Sequence, residues 1–417
     1  MNYDAVSRAR PKIRVGGKRW AAHLSEPVRL PYVGIGGFSL AARHGKMRGA
    51  ALYLCLRLGC SVVYRLVTVL SMPFCLDAGD PFEVAIRGDS VAAWCSAHLL
   101  SAAGLNPVLD RTPRQRVPAI MISDAAVAMI RDVFGKPGLF AKAPRITRRV
   151  VQWGRNSNPA AFDHAAIVVS ELELLNELEE NLTPAAGPRG GGRTFTILAS
   201  RPLPVEASEH CFGSRIAQAA QVELKDERDS TACWIESMED GWLFLVPNSA
   251  DSGWLLSVGC AETIPSRSTL IKERVASIRE PQGAFPASPR IMSPLSGPGW
   301  LACGTAGMAF DPVCGDGTAH AVREAVLASA VVKAIAKGGN QEGLRRHYEA
   351  RLVLGFHRHL AASLEFYCAG TCGPWWEKES AMLRRGLDWC AGKLNSHGQF
   401  RYQLRGFELQ PIDSTPS

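Results

Sequence analysis

Residues 304–325, "GTAGMAFDPVCGDGTAHAVREA", decide which fold the sequence predicts. An apolar strand pattern, "GWLACGT" at 299–305, leads into this stretch, and a regular helical pattern follows it. Pro312 ends the extended segment, and Gly315 and Gly317 allow a ligand to lie close against the backbone. The helix from Thr318 directs its unpaired N–H groups and positive dipole end at the loop. The stretch therefore predicts either a loop that holds a ligand with negative charge or an ordinary helix start.

A strand–helix–strand unit, "FEVAIRGDSVAAWCSAHLLSAAGLNPVLDR", lies far upstream at residues 82–111. Its first turn matches a relaxed dinucleotide fingerprint in which Gly88 is the first glycine, while Ser90 and Ala93 replace the second and third. Asp110 ends the second strand, where a carboxylate can accept hydrogen bonds from ribose hydroxyls. The same pattern also occurs in strand–turn–helix units that bind nothing.

Between the two motifs, short apolar runs alternate with turn residues and predict an antiparallel sheet. These runs are "TFTILAS" (194–200), "TACWIES" (231–237), "GWLFLVP" (241–247) and "GWLLSVG" (253–259). Helical patterns cover Asp124 to Phe134, Glu342 to about Tyr367, and Trp375 to about Leu394. The predicted fold class is α/β: a Rossmann-like domain with split motifs, an antiparallel sheet domain and C-terminal helices.

We predict four regions from these patterns. Residues 1–80 form a basic extension with poor order, and residues 81–150 and 290–340 form the discontinuous nucleotide-binding domain. Residues 151–289 carry the substrate domain, and residues 341–417 form the helical C-terminal region.

The charge distribution argues against nucleic acid as a partner. Residues 1–80 contain 12 lysines and arginines against four acidic residues, whereas the remainder contains 35 of each. The longest uncharged apolar run of residues 1–80, Leu66 to Leu76, is too short to span a bilayer. A helix that lies on a membrane surface remains an alternative for this segment. Twelve cysteines without a CxxC pair favour buried thiols in a reducing compartment, hence the cytoplasm, and predict no metal site.

Residues 304–325 resemble the second FAD motif of the para-hydroxybenzoate hydroxylase-type flavoproteins, usually Gly-Asp-Ala, Asp-Pro, Gly-x-Gly and a helix. "IRGDSVAAWCSA" at 86–97 is similar to the first motif of that family. "GWLFLVP" resembles the Gly-Trp-x-Trp-x-Ile-Pro strand of the flavin-dependent halogenases, with Phe244 at the second tryptophan. The helical patterns at 345–367 and 375–387 look like the terminal helices of that halogenase-like branch. That branch includes flavoproteins that modify a partner polypeptide during quinone-cofactor maturation.

The resemblance implies FAD as the cofactor and assigns a role to each matching position. The pyrophosphate would be flanked by Gly88, Ser90 and Ala93, and the adenosine ribose would be bound at Asp110 and Arg111. The pyrophosphate and ribityl chain would lie near Gly304 and Thr305, and the isoalloxazine would be lined by Asp311, Pro312, Gly315, Gly317 and Thr318. Thr305 stands where the family has Asp, so one charged hydrogen bond is lost, at a cost of about 1 kcal/mol.

A flavin monooxygenase needs a dry pocket over the isoalloxazine. Trp234, Trp242 and Phe244 are the candidate lining of this substrate pocket, with plain core packing as the alternative. We assign no catalytic residue. His320 lies within reach of the loop or on the helix surface, and Arg114 and Arg116 form a solvated basic loop or an anion clamp.

The predicted function is an FAD-dependent oxidoreductase of monooxygenase type, acting on an aromatic or apolar compound or on a partner-protein side chain. NAD(P)H bound transiently, or a separate flavin reductase, would supply the electrons. One alternative is a degenerate, non-catalytic relative that serves as a binding or maturation partner. The other is a halogenase, which needs a lysine, and between residues 81 and 224 the sequence offers Lys136 and Lys142 alone.

Overall fold

The computed structural model describes residues 13–15, 18–20, 82–112, 114–155, 158–182, 193–260, 267–397 and 400–412. Strands β1 (Ile13–Val15) and β2 (Lys18–Trp20) pair as a short antiparallel hairpin. The other residues of the predicted basic extension at 1–80 lie outside the described residues, so its poor order stays a prediction.

The remaining elements follow in chain order. The first group is β3 (Phe82–Arg87), α1 (Val91–Ala102), β4 (Pro107–Asp110), β5 (Ile120–Ser123), α2 (Asp124–Phe134), β6 (Arg145–Gln152), β7 (Ala160–Val169), α3 (Glu171–Glu180) and β8 (Arg193–Leu198). The second group is β9 (Ser208–Cys211), β10 (Ile216–Leu224), β11 (Ala232–Met238), β12 (Gly241–Pro247), β13 (Ser252–Val258), β14 (Val275–Ile278), β15 (Ala284–Pro286), β16 (Arg290–Ser293), β17 (Ser296–Gly297), β18 (Trp300–Ala302) and β19 (Met308–Ala309). The last group is α4 (Gly317–Ala336), α5 (Gln341–Ala369), α6 (Pro374–His397), β20 (Tyr402–Arg405) and β21 (Glu408–Pro411).

Both glycine motifs follow strands of a five-stranded sheet, which has the order β17-β18-β8-β3-β4. Strand β3 is parallel to both β4 and β8, and β18 is parallel to β8. The prediction that "TFTILAS" belongs to the antiparallel sheet is therefore wrong, because this segment is the strand β8 between β3 and β18. Its apolar run suits a strand that is covered on both faces, which periodicity alone does not distinguish from a sandwich strand.

A second sheet of nine strands has the order β14-β10-β13-β12-β11-β6-β7-β5, with β15 also paired to β10. Its neighbours are antiparallel except β6 and β11, which are parallel. The predicted strands "TACWIES", "GWLFLVP" and "GWLLSVG" are its members β11, β12 and β13. Strands β5 and β6 also lie in this sheet, although their residues fall within the predicted nucleotide-binding region at 81–150. The domain boundaries themselves stay predictions.

Short-range signals explain where the helices begin. The hydroxyls of Ser90 and Ser123 accept hydrogen bonds from the first turns of α1 and α2, and Ser170 forms a capping box with Glu173 in α3. All ten residues from Val91 to Leu100 are buried, so α1 is enclosed on every side rather than amphipathic.

Helix α4 packs against α1, and the long helices α5 and α6 pack against each other. The main hydrophobic core contains residues of α1, α4 and α5, of the five-stranded sheet and of one face of the nine-stranded sheet. The structure confirms the predicted α/β fold class, with C-terminal helices beside the two sheets. Within the described ranges, no helix combines the length and apolar character needed to cross a bilayer.

Candidate functional site

Two glycine turns from distant parts of the chain meet at the start of α1. Gly88 has φ +133°, and a Cβ on it would lie 2.8 Å from the carbonyl carbon of Ala199 in the neighbouring chain segment. Gly304 has φ +59°, and a Cβ there would lie 2.8 Å from Cβ of Ala92 in α1. Neither position accepts a side chain without displacing backbone or core atoms. The structure thus brings Gly88, Ser90 and Gly304 together, as their motifs predicted.

Ser90 and Ala93 belong to the buried first turn of α1. The Ser90 hydroxyl accepts a hydrogen bond from the Ala93 N–H at 3.4 Å, and both residues are buried. The hydroxyl that replaces the second glycine therefore caps the helix. This use of Ser90 stabilises the helix start while occupying part of the space that a glycine would leave free.

Asp89, which the sequence reading did not single out, is the charged centre of this turn. Its carboxylate accepts hydrogen bonds from Trp94 Nε1 at 2.9 Å and from the Arg116 guanidinium, which also donates to the Asp89 carbonyl at 2.8 Å. Burial opposes the charged form, but these hydrogen bonds hold the pKa of Asp89 below its usual value. Arg116 is thus an anion clamp on the chain's own carboxylate, and the expectation of a solvated loop is wrong for it.

Asp110 and Arg111 lie at the exposed edge beside this turn. The Asp110 carbonyl accepts the Gly88 N–H at 2.8 Å, which fixes the end of β4 against the turn. The Arg111 guanidinium stands 4.6 Å from the centre of the Trp94 ring and pairs with Glu179. Arg114 likewise pairs with Glu171 of α3, so neither arginine is simply solvated.

Glu324 of α4 holds the second glycine turn from the side of the core. Its Oε2 accepts the Gly304 N–H at 2.7 Å, and its Oε1 is buried without a hydrogen-bond partner among the described residues. Burial raises the pKa of Glu324 to about 8, although the hydrogen bond from Gly304 lowers this pKa. Its carboxyl therefore carries a proton at neutral pH. The sequence signal was an acidic residue inside an apolar helical run.

Thr305 follows directly and is exposed, while its carbonyl accepts a hydrogen bond from Arg290 at 3.3 Å. Its side chain therefore lies at the surface, away from the core. An aspartate at this position could ionise freely, because the site is not buried.

The structure corrects the expectation that the Asp311 side chain lines the ligand. Asp311 is buried, and its Oδ2 lies 3.2 Å from Nε of the fully buried Arg215, which also binds Glu379 of α6 at 2.6 Å. Burial raises the pKa of Asp311, although Arg215 opposes this shift. The Asp311 N–H also donates to Nε2 of His359 at 2.7 Å. Asp311 therefore anchors the loop to the C-terminal helices through a buried charge cluster.

The rest of the loop remains open at its glycines. Pro312 begins a single helical turn that ends at Gly315 in the left-handed conformation, and no described atom lies within 4 Å of a Cβ built on Gly317. Asp316 makes no side-chain hydrogen bond to the start of α4 within the described ranges, so the N–H groups of Gly317 and Thr318 lack a side-chain cap. This backbone can be approached closely by a flat ligand, as the spacing predicted.

His320, one turn into α4, stacks on Phe310 with ring centroids 4.0 Å apart. Burial lowers its pKa to about 4, so the ring is neutral at physiological pH. Its ring therefore packs on the residue that precedes Asp311 in the chain.

The three aromatic residues predicted to line one pocket lie on opposite faces of the nine-stranded sheet. Trp234 packs with Leu243 and Leu245 on the face away from α5, because strand residues alternate between the faces. Trp242 and Phe244 lie on the other face, where Trp242 Nε1 donates to the Tyr367 hydroxyl at 3.2 Å. The grouping with Trp234 is therefore wrong. Trp242 is fully buried and follows the alternative of plain core packing, while Phe244 is partly buried and stays a candidate.

The two glycine turns and the start of α4 have the features that binding of FAD requires. The two glycine turns converge at the start of α1, and a second, uncapped helix start lies behind an open glycine loop. These features fit the pyrophosphate and the isoalloxazine of FAD. The carboxylate of Asp89 near the first turn disfavours a second negative group, and its pairing with Arg116 offsets that effect.

No protein-family model matches the chain, and no curated protein matches it. Among solved structures, the chain is similar to the peptidyl tryptophan dihydroxylase QhpG, which is essential for tryptophylquinone cofactor biogenesis. The identity is 18%, over 72% of this chain and 79% of that one, with a TM-score of 0.59. The myxobacterial chondrochloren halogenase CndH, an FAD-dependent halogenase, is 15% identical over 76% of this chain and 91% of that one, with a TM-score of 0.59. The flavin-dependent brominase Bmp2 is 16% identical over 75% and 99% of the two chains, with a TM-score of 0.56. The chain therefore has the fold shared by flavin-dependent halogenases and a peptidyl tryptophan dihydroxylase.

Proposed function

We propose that this protein is an FAD-dependent oxidoreductase of monooxygenase type. The observation that carries the proposal is the convergence of the Gly88 and Gly304 turns on the start of α1, together with the open loop at the start of α4. The fold shared with flavin-dependent halogenases supports it.

In this proposal, the backbone around Gly88, Ser90, Ala93 and Gly304 holds the pyrophosphate, and Asp110 with Arg111 holds the adenosine half. The loop from Asp311 to Thr318 lies along the isoalloxazine, with the N–H groups at the start of α4 rather than the Asp311 carboxylate turned to it. Bound FAD supplies the electron transfer and oxygen activation that no side chain can provide.

The substrate would lie between this loop and the face of the nine-stranded sheet that carries Trp242 and Phe244. Phe244 is partly buried and contributes apolar surface that excludes water from the reacting centre, whereas Trp242 is fully buried in the core. The substrate is an aromatic or apolar small molecule, or a side chain of a partner polypeptide as in QhpG. Electrons come from NAD(P)H or from a separate flavin reductase.

A second candidate is a non-catalytic relative that keeps the fold and binds a partner. Asp89 favours it, because its carboxylate stands beside the turn where a pyrophosphate would bind. The halogenase alternative gains no support, because Lys136 and Lys142 are both exposed beyond the end of α2.

Flavin content separates these candidates. We expect the purified chain to carry FAD, or to bind added FAD with the visible absorbance shift of a protein-bound flavin. Absorbance spectroscopy and mass spectrometry of the denatured protein measure this directly. A colourless protein that also fails to take up FAD contradicts the oxidoreductase proposal and favours the non-catalytic relative.

Thr305→Asp tests the position of the second motif. We expect FAD affinity to rise by about fivefold to tenfold, because a charged hydrogen bond contributes about 1 kcal/mol more than a neutral one. Thr305→Asn is the matched control, since it has the same shape without the charge. Fluorescence titration gives both constants. Equal affinities for the Asp variant and the native chain would mean that this turn does not meet the cofactor.

A further inference from the structure

Three aromatic residues, Tyr367 of α5 with Trp376 and Trp375 of α6, form a continuous row of ring contacts that we call the aromatic row. The centre of the Tyr367 ring lies 5.5 Å from that of Trp376 and 5.9 Å from that of Trp375, and the two indoles are 4.9 Å apart. Tyr367 and Trp376 are buried, whereas Trp375 is partly exposed. The aromatic row therefore runs from the core to the surface.

The inner end of the aromatic row meets the residue that anchors the glycine loop. The Arg215 guanidinium stands 4.7 Å from the centre of the Tyr367 ring and pairs with Asp311. Burial, and after it the charge of Asp311, raises the pKa of Tyr367 well above its usual value, although Arg215 lowers it. A protonated phenol thus lies beside a carboxyl group of the loop.

The buried Tyr367 hydroxyl needs a base in the core if it is to lose its proton. It accepts the N–H of Trp242 at 3.2 Å, which leaves its own proton for another acceptor. Arg215, Asp311 and Glu379 form a cluster of one guanidinium and two carboxyl groups, which can take up one more proton without a net positive charge. Burial raises the pKa of Asp311 and so makes its carboxylate a stronger base than an ordinary aspartate.

Tyr348, a second buried tyrosine of α5, has neither of these features. Its hydroxyl donates to the carbonyl of Ala302 at 2.6 Å, and a peptide carbonyl is too weak a base to keep a phenolic proton. Among the described residues, no tryptophan ring contacts the ring of Tyr348. Phenols and indoles are readily oxidised by one electron, and an oxidised phenol is a strong acid. Tyr367 is therefore placed to pass on an electron and a proton, and Tyr348 is not.

We propose that the aromatic row carries oxidising equivalents from the glycine loop to the surface and so protects the site from oxygen-derived radicals. The inference rests on the proposed function, because reduction of dioxygen beside the loop is the source of such radicals.

Every transfer in this proposal moves one electron. Tyr367 gives an electron to a hydroxyl radical, which becomes hydroxide, and the phenolic proton passes to the Asp311 carboxylate. Trp375, directly or through Trp376, returns an electron to Tyr367, and Asp311 returns the proton. Trp375 then releases its indole proton to solvent, and a soluble thiol restores its hydrogen atom and ends as a disulfide.

Flash photolysis of the flavin-free and FAD-loaded chains tests the aromatic row. Tris(bipyridine)ruthenium(III), formed in solution by a light flash with a cobalt(III) ammine as electron acceptor, oxidises exposed indoles. We expect Tyr367→Phe to remove one component of the tyrosyl signal in time-resolved electron paramagnetic resonance, and Tyr348→Phe to leave that component in place. Because Tyr367 contacts both indoles, the double variant Trp375→Phe/Trp376→Phe should remove the same component. Trp389→Phe is its control, since Trp389 is also a partly exposed residue of α6.

Two further measurements test the proton step and the protective role. In the native chain, the Tyr367 radical should form more slowly in D₂O than in H₂O, because its proton moves with the electron. In the FAD-loaded chain under light and air, Tyr367→Phe should increase oxidation of Met308 and Cys314 beside the loop, as measured by peptide mass spectrometry. Tyr348→Phe should leave this oxidation at the native level.

The electron path is overturned if Tyr367→Phe removes no tyrosyl component, or if that component survives in the double tryptophan variant. Equal rates in D₂O and H₂O overturn proton transfer to Asp311, and equal oxidation of Cys314 in the native and Tyr367→Phe chains overturns the protective role. Failure of the proposed function has a different signature, since FAD uptake is then lost. A Tyr367 component in the flavin-free chain would still show the electron path.

Discussion

Replacing Arg215 with methionine is expected to lower the free energy of unfolding by about 3–5 kcal/mol, the usual cost of breaking a buried ion pair from one side. Arg215 is fully buried, and its guanidinium contacts both Asp311 and Glu379. Without it, two carboxyl groups stay in the core with no cation between them. Asp311 anchors the glycine loop, so we also expect weaker FAD binding. Thermal and urea unfolding measure the stability loss.

The pH dependence of this variant identifies the cause. Burial already raises the pKa of Asp311, and losing Arg215 raises it further. A carboxyl group whose folded-state pKa is raised destabilises the fold once the pH exceeds its unfolded pKa. The loss should therefore be larger at about pH 8 than at about pH 5.

Arg228→Met is the control for this prediction. It breaks an ion pair with Asp226 that stands in solvent, where the Arg228 side chain is 90% exposed. Exposed pairs contribute little, so its stability should change by less than about 1 kcal/mol. Equal losses for the two variants, or a loss in Arg215→Met that does not depend on pH, would contradict the charge-cluster explanation.

Replacing Gly88 with alanine is expected to cost about 2–4 kcal/mol of stability and to abolish measurable FAD binding. At φ +133° a side chain is strained, and the new Cβ would lie 2.8 Å from the carbonyl carbon of Ala199. Backbone of β3 or of the segment after β8 would have to shift, and the turn at the start of α1 would move with it. Urea unfolding and FAD titration measure the two effects.

Gly104→Ala separates the cost of a left-handed backbone from the cost of a steric clash at the new Cβ. Gly104 also has positive φ, +77°, but no described atom lies within 4 Å of a Cβ built there. We expect this variant to cost about 1 kcal/mol, from the left-handed backbone alone, and to leave FAD binding unchanged. If both alanine variants unfold at the same urea concentration, the close approach of Gly88 to Ala199 has no energetic consequence.

The local patterns of the chain were read correctly from sequence alone. The predicted helix at Asp124 to Phe134 is α2, and the first βαβ unit is β3, α1 and β4. The helix that follows the glycine loop is α4, as its spacing predicted, and the structure adds that Gly315 is left-handed. Each of these signals lies within a few residues, as caps, turns and apolar periodicity do.

The sequence did not predict which strands pair with each other. "TFTILAS" and "TACWIES" have similar apolar runs, yet one lies in the parallel sheet and the other in the nine-stranded sheet. Trp234 and Trp242 looked equivalent, although strand alternation and register set them on opposite faces. Register depends on partner strands, which no short segment contains.

The sequence by itself determined the elements and the two glycine motifs, because those features depend on backbone conformations that nearby residues dictate. It also contains the departure at Thr305, which is a matter of residue identity alone. Only the tertiary structure decided the electrostatics. It buried Asp311 against Arg215 and paired Arg116 with Asp89. The physical reason is that a charge is stabilised or destabilised by groups within a few ångströms, and folding brings those groups together from distant parts of the chain.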